Sequence, residues 1–372
     1  MGSLKARPRA ICKMDTGYED YEVTVSTARN RWVRPSTPDD APAIIALMRE
    51  AGLQPHVEPA QLQWKYWKER ADWPGSRSFV LTDGRDLLAH GAVVPGTLRS
   101  ATSRIRAIHM IDWAARRDAV GAGVVLMKYI AGLTDSLLAV GGSEDTRKIM
   151  PLVGYRGCGA VTGYARALSP LALLNRPSHP HWKLVPRLAR SMFWSWTAPT
   201  TARSAWHAKA VSAATMERIS STMPVAKPGT AVFERSPALL HHALACPIVP
   251  VELFSLEKAG RVRGYFLLSY APGQARLADW WVNSQNSTDW RALVHAAVRE
   301  AKAKGGLAEL VVWSSDPEQS RILEDCGFHA RLQLPIYFRS SEGAAVPSES
   351  VRVQMLDNDA FYLYFGRNEL WA

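Results

Sequence analysis

Residues Ile108–Ile130 read IHMIDWAARRDAVGAGVVLMKYI, and the fold is decided within them. Ile108 to Trp113 is an apolar, strand-like run. It breaks into a basic, glycine-bearing turn that opens directly into an apolar helix beginning near Gly121. A turn of this kind is an anion site built from backbone. Gly121 and Gly123 lack a Cβ, so main chain can approach a ligand closely. The unpaired N–H groups of the first helical turn, with the helix dipole behind them, favour negative charge there. Arg116 and Arg117 add two side-chain cations. An ordinary tight strand-to-helix connection would also use two glycines, so the rest of the chain has to arbitrate.

Strand and helix signals on either side supply an order. Arg31 to Ser36 reads as a first strand. Thr37-Pro38-Asp39-Asp40 starts a helix, with Thr37 as N-cap and Ile44, Ile45, Leu47 and Met48 as its apolar stripe. A second helix carries Leu62, Trp64, Tyr66 and Trp67. Ser78–Thr82 and Leu87–Val94 flank an Asp83-Gly84 turn as a hairpin. The fourth strand is Arg104–Trp113, followed by the glycine turn and its helix. Ser136–Val140 is continuously apolar and suits a buried fifth strand. A helix closed by Gly154-Tyr155 leads to a last strand near Val161–Leu168.

The second half repeats this plan. Gly91 aligns with Gly264 and Gly154-Tyr155 with Gly327-Phe328, both pairs at one and the same offset along the chain. Val251–Leu256, Val262–Ser269 and Ala275–Val282 form a meander, Thr288–Lys304 a helix and Ala308–Trp313 a buried strand. Ser315 with Glu318 makes a capping box for the next helix, and Phe361–Phe365 reads as a closing strand.

The glycine turn and the strand order together resemble the GNAT acetyltransferase superfamily. Its acyl-CoA pyrophosphate loop, Gln/Arg-x-x-Gly-x-Gly/Ala, falls here on Asp118, Gly121 and Gly123. The resemblance spans roughly residues 31–170, with Asp118 where a Gln or Arg is expected. It implies an α/β (α+β) architecture of two tandem GNAT-like domains, each with a mixed, mostly antiparallel central sheet flanked by helices. The divisions are 1–28 as a flexible N-terminal segment, 29–170 as the domain with the acyl-CoA loop, 171–230 as a Pro/Trp-rich linker with helices, and 231–372 as a degenerate domain. The second half has no phosphate loop, since VNSQNSTDWRAL follows Trp281.

The implied chemistry is direct attack of an amine on the acetyl-CoA thioester. The cofactor-binding residues would be Trp113, Ala114, Arg116, Arg117, Val120, Gly121, Ala122 and Gly123, with a backbone N–H near Trp113 or Ala114 holding the carbonyl oxygen. His90, His109 and Asp112 are the candidate bases, Asp112 first and His109 second as the catalytic pair. Strict alternation puts His109 and Asp112 on opposite faces unless the strand bulges. Pairing of Asp112 with Arg106 or Arg116 is the competing structural role. The family's acid, a Tyr midway along the helix after the fifth strand, falls on Met150, or on Leu323 in the second half. Neither can give up a proton.

Composition fits a globular chain: 47% of residues are hydrophobic and 21% charged. The four cysteines form no CxxC pair, so no metal site is expected. The formal charge of +11 suits a polyanionic cofactor. With helix-turn-helix, RNP-like and zinc-finger patterns all missing, nucleic acid is not an expected partner. No long apolar run or signal peptide is seen, so a cytoplasmic location is expected. Residues 184–198, LVPRLARSMFWSWTA, read either as a peripheral membrane contact or as a packed linker, the latter because Pro186 would interrupt a long helix. Trp64, Tyr66, Trp67, Trp280 and Trp281 are expected to pack within and between the domains, or to stack on a sugar acceptor. The expected function is transfer of an acetyl group to an amine of a small molecule or sugar precursor. A non-catalytic CoA-binding or scaffold role, or an aminoacyl-tRNA-dependent peptidyl transferase, is the alternative.

Overall fold

Two long strands, starting at Leu87 and Arg104, pair into the antiparallel ribbon around which the first half is built. The structure, a computed structural model, describes residues 31–142, 144–175, 181–199, 205–212, 216–340 and 350–364. The segment 1–28 lies outside them. In chain order the first half runs β1 (Trp32–Pro35), α1 (Ala41–Glu50), α2 (Pro59–Leu62, continued by a π-helical turn Gln63–Trp67), β2 (Ser78–Thr82), β3 (Leu87–Arg99), β4 (Arg104–Ala115), α3 (Ala122–Ala131), β5 (Ser136–Val140), α4 (Glu144–Leu152) and β6 (Arg156–Ala167). The connecting region holds α5 (His181–Thr197), β7 (Trp206–Ala210), α6 (Glu217–Ser220), β8 (Thr230–Phe233) and α7 (Pro237–Leu244). The second half is β9 (Val251–Lys258), β10 (Arg261–Ala271), β11 (Gln274–Val282), α8 (Ser287–Lys304), β12 (Glu309–Ser314), α9 (Pro317–Asp325), β13 (His329–Ser340) and β14 (Ser350–Arg352).

The expected repeat is visible in the register. Ser136 and Glu309, which open β5 and β12, are separated by the same offset as Gly91 and Gly264, and so are Arg156 and His329 at the starts of β6 and β13. All strands join one sheet in the order β1-β2-β3-β4-β5-β13-β6-β12-β11-β10-β9-β7, with β8 and β14 attached beside β3. The halves exchange their closing strands. β13, from the second half, pairs with β5, while β6, from the first, pairs with β12. Arg166 of β6 seals the exchange: its buried guanidinium donates to the Cys326 carbonyl at the end of α9 and, at 2.9 Å, to that of Pro199. Pairing is antiparallel except for β4 with β5, β11 with β12 and β8 with β14. α3 covers one face of the first-half sheet through Ala122, Leu126 and Ile130, while α1 and α2 cover the other through Ile44, Met48 and Leu62.

Gly91 and Gly264, aligned by sequence, serve different contacts. A Cβ on Gly91 would meet the flexible side chains of Ile130 and Leu126, whereas one on Gly264 would land 2.3 Å from the Trp281 carbonyl oxygen. Gly264→Ala must therefore push β10 and β11 apart. We expect it to cost about 1–3 kcal/mol, the usual range for overpacking, and more than Gly91→Ala. Equal urea midpoints for the two variants would contradict this.

Three expectations are corrected. The helix after β12 is capped by Asp316, whose carboxylate accepts from the N–H groups of Glu318 (2.8 Å) and Gln319 (3.3 Å). Ser315 instead spans Val351 and Val353 and makes no capping box. Phe361–Tyr364 forms no strand, and Phe365 lies outside the described residues. Arg276 takes up the segment's carbonyls in place of a ladder, donating to Ala360 (3.0 Å), Phe361 (3.4 Å) and Leu363 (2.9 Å). Pro186 does not interrupt α5, which runs through it. α5 leaves Val185, Met192, Phe193 and Trp196 exposed, while Trp194 stacks on His329 with ring centroids 4.0 Å apart. Among the described residues no helix is long and apolar enough to cross a membrane.

Candidate active site

β4 and β5 are paired only from Ala107 to His109, after which β4 continues to Ala115 with no strand on that side among the described residues. The opening is closed at one end by α3. Gly121 is its N-cap with φ +79°, a conformation that favours glycine, and a Cβ there would meet nothing within 4 Å. Val120 forms the crest of the loop, 88% exposed. Gly123 has a packing role. Its Cβ position lies 3.2 Å from the Trp113 ring and 3.3 Å from Ala115, and the Trp113 indole donates to the Gly123 carbonyl at 3.1 Å. α3 can thus lie against β4, with its first N–H groups directed at the turn.

Of the two expected cations, Arg116 is turned away. It makes a two-pronged contact with Asp118 (2.9 and 2.6 Å) and reaches Asp86 at 3.3 Å. The Asp118 carboxyl is held below its ordinary range chiefly by the Arg116 hydrogen bond. The charge of Asp118 is thereby offset, at the expense of the arginine. Arg117 is exposed and makes no ion pair among the described residues.

Asp112 lies on the opposite face of the sheet from α3. It sits in a bulge between the pairs Ala92↔Ile111 and His90↔Ala114, with φ +50°, which is uncommon away from glycine. The bulge breaks the alternation expected of β4, so Asp112 shares the face of Ile111 and Ala114, which is also that of His109. Its carboxylate is paired with neither Arg106 nor Arg116. It lies 2.5 Å from the Lys65 ammonium and accepts from the Tyr66 hydroxyl at 2.7 Å. Burial alone would raise its pKa, but Lys65 and these hydrogen bonds hold it below the usual carboxylate range.

Above it runs a chain of neutral hydrogen bonds. The Trp67 indole donates to Ser36 (3.0 Å), the Ser36 hydroxyl to Ser78 (2.6 Å), and Ser78 lies 3.0 Å from His90 Nε2. With Ser78 donating, His90 carries its proton on Nδ1 and gives it to the Asp112 carbonyl, 3.2 Å away. Burial pushes His90 and His109 down to about 4, so both are neutral at pH 7. His109 Nδ1 has no partner among the described residues.

Two functional candidates come from outside the sequence reading. Lys65 sits on the π-helical turn after α2, and no local spacing links it to Asp112 on β4. Asp359 stands two residues before the run Phe361–Phe365 that was expected to form a strand. Its carboxyl is raised to about 6 by burial, tempered by the Lys65 charge and raised further by Asp112. Tyr362, the next phenol along that segment, places its ring 5.6 Å from the Lys65 ammonium and edge-on to Trp64. Trp64 itself stacks on His242 of α7 at 4.7 Å, donates to its carbonyl at 2.8 Å and meets Phe361 and Tyr362 edge-on, so this tryptophan packs the first half against the connecting region and the C-terminal segment. On the α3 side Met150 is buried, and Tyr155 in the same cluster is buried with a hydroxyl that has no partner among the described residues and whose pKa burial raises. Among the described residues no group of His, Cys, Asp and Glu is placed to hold a metal.

No family model and no curated protein matches the sequence. Solved structures do match. Saccharomyces cerevisiae N-myristoyltransferase with bound myristoyl-CoA aligns at 10% identity with a TM-score of 0.58, over 88% of this chain and 82% of that one. A probable N-acyltransferase of Enterococcus faecalis aligns at 12% identity and 0.56, over 84% and 72%. A GCN5-related N-acetyltransferase from Anabaena variabilis aligns at 9% identity and 0.54, over 83% and 72%. The chain has a tandem GNAT fold. Each alignment takes in both halves, as a GNAT plan repeated at a constant offset requires. Within the GNAT fold, the β4/β5 opening is the first-half splay and the β11/β12 opening its second-half counterpart.

Proposed function

We propose that the protein is an acyl-CoA-dependent N-acyltransferase, carrying an acetyl group from acetyl-CoA to an amine of a small molecule or sugar precursor by direct attack. The observation that carries this reading is the open edge of β4 beside a helix N-terminus led by Gly121 at positive φ. Main-chain N–H groups of that helix would hold the diphosphate. An N–H on the β4 edge near Trp113 or Ala114 would receive the thioester carbonyl oxygen as charge builds on it. The amine nitrogen bonds to the carbonyl carbon, the C–S bond breaks, the nitrogen loses a proton and the thiolate gains one.

Asp112, ionised and tied to Lys65, is poorly suited to take that proton. Its role in this reading is to fix Lys65 and Tyr66 beneath the acceptor. Asp359, titrating near neutrality against the same lysine, is the better acceptor of the proton. A base must be ionised to act, so kcat/KM should rise with pH through a limb near 6, the value to which burial raises Asp359. Asp359→Asn should remove that limb and lower the rate by about 10²–10⁴-fold. An unchanged limb in the variant would exclude Asp359 as the base.

Acetyl-CoA turnover over a panel of amines tests the whole reading. A second reading, CoA binding without catalysis, is favoured by Met150 in the acid position and by the pairing of Arg116 with Asp118 and Asp86. Tight calorimetric binding with no amine consumed would establish it instead.

A further inference from the structure

The second-half splay holds a chamber of its own. A cavity of about 130 Å³ lies where β11 and β12 part, walled by Trp281 of β11, Trp290 in the first turn of α8, Gln319 and Ile322 of α9, Val232 of β8 and Arg352 of β14. The pair Asp279-Trp280 on β11 matches Asp112-Trp113 on β4, so Trp281 stands where the first half has Ala114. Where the first half leaves room for a thioester, the second has put an indole.

Three side chains in its wall carry buried polar atoms without partners among the described residues. Gln319 is only 3% exposed, yet neither atom of its amide is hydrogen-bonded among the described residues. The same holds for the indole N–H of Trp281 and the Nε–H of Arg352. Buried polar groups in native proteins are nearly always paired, so three orphans lining one cavity point to something that pairs them. Two carboxylates also line the cavity: Asp316, engaged in capping α9, and Glu318, which is exposed.

The unpaired set names the chemistry. Donors outnumber acceptors: Trp281 Nε1, Arg352 Nε and Gln319 Nε2 against the single amide oxygen of Gln319. Arg352 carries its charge stacked on indoles, 4.6 Å from the Trp281 ring and 5.1 Å from that of Trp290, and makes no ion pair among the described residues. Its terminal nitrogen already donates to the Trp280 carbonyl at 3.1 Å. Burial without a counter-charge in contact pushes its pKa down to about 10, and an anion in the cavity would relieve that. The indole faces and Ile322 offer apolar cover for the remainder of a ligand.

We propose that this cavity binds a small monocarboxylate, its oxygens received by Trp281, Arg352 and Gln319 and its hydrocarbon part packed against Trp290 and Ile322. A space near 130 Å³ admits a molecule of about benzene's size. Propionate and benzoate bracket that range. Lys227, exposed like Glu318, adds a cation to the lining.

The test titrates the full chain, without CoA, with acetate, propionate and benzoate beside the matching amides and alcohols. Binding is followed by the indole N–H resonance of Trp281, assigned through Trp281→Phe. At least one acid should saturate the shift and bind at least tenfold tighter than its amide. Gln319→Leu keeps the volume and removes the unpaired amide, so it should weaken binding at least tenfold while leaving the thermal midpoint of the unliganded protein equal or higher. Gln319→Glu should abolish binding by repulsion. Failure of every acid to saturate, equal affinity for acid and amide, or an unchanged Kd in Gln319→Leu would each overturn the proposal. No acyl transfer enters the measurement, so its failure is separate from failure of the first-half site.

Discussion

Arg235→Met is expected to destabilise the protein by about 3–5 kcal/mol, the usual cost of breaking a buried ion pair by removing one partner. Arg235 follows β8 and is almost wholly buried. It donates to both oxygens of Asp279 on β11 (2.9 and 2.8 Å) and lies 2.7 Å from the Asp357 carboxylate. Tyr265 adds a further bond to Asp279 at 2.7 Å. One guanidinium thus ties the connecting region, the second-half sheet and the segment that carries Asp359. Despite burial, the two carboxylates raise the arginine's pKa well above its ordinary value. Without Arg235, two buried carboxylates would face one another.

The pH dependence follows in sign. The Asp357 carboxyl is already raised, first by burial and then by Asp279, with Arg235 opposing both. In the variant it must rise further. A carboxyl whose folded pKa exceeds its unfolded one contributes stability at low pH that is lost as pH climbs through the folded value. The deficit of Arg235→Met should therefore be smaller near pH 5 than near pH 8. Urea unfolding at both pH values checks it, and a variant within about 1 kcal/mol of wild type at pH 8 would show that the cluster relaxes around the loss.

The second large effect concerns the donor site. Gly121→Trp should weaken acetyl-CoA binding by at least about 100-fold, equivalent to about 2.8 kcal/mol. A side chain at this position leaves the helix into open space, on the side where the diphosphate is proposed to lie. The left-handed conformation adds about 1–2 kcal/mol of strain. α3 is anchored independently by Ala122, Leu126, Met127 and Ile130, so the variant should still fold. Calorimetry beside a thermal melt separates the two effects. Undiminished binding by a folded variant would move the cofactor away from this turn.

Much of this architecture is written locally. Alternation and turn residues mark β2, β3, β9, β10 and β11, and the matched Gly154 and Gly327 mark the repeat. Which strand each one joins is not local. Periodicity tells β6 which face is apolar but not that its neighbour is β12, so the exchange of closing strands could not be read. The Asp112 bulge was equally hidden, because a left-handed residue is signalled by glycine and here it is an aspartate. The aromatic run at Phe361 carries a strand's composition, and only the guanidinium of Arg276, held in the folded sheet, removes its need for a ladder. At the site, the Gly121 turn was legible from its own residues. The partners Lys65 and Asp359 were not, since tertiary packing alone brings them to Asp112.

The exchanged strands also impose a timetable on synthesis. When Ala167 leaves the ribosome, β6 has no mate in the finished topology until Glu309 follows, after the connecting region and most of the second half. At about 5–20 residues per second, that wait is on the order of 10 s. Throughout it the nascent first half presents the uncovered edges of β5 and β6, the surface to which holdase chaperones and stray strands from other chains are drawn.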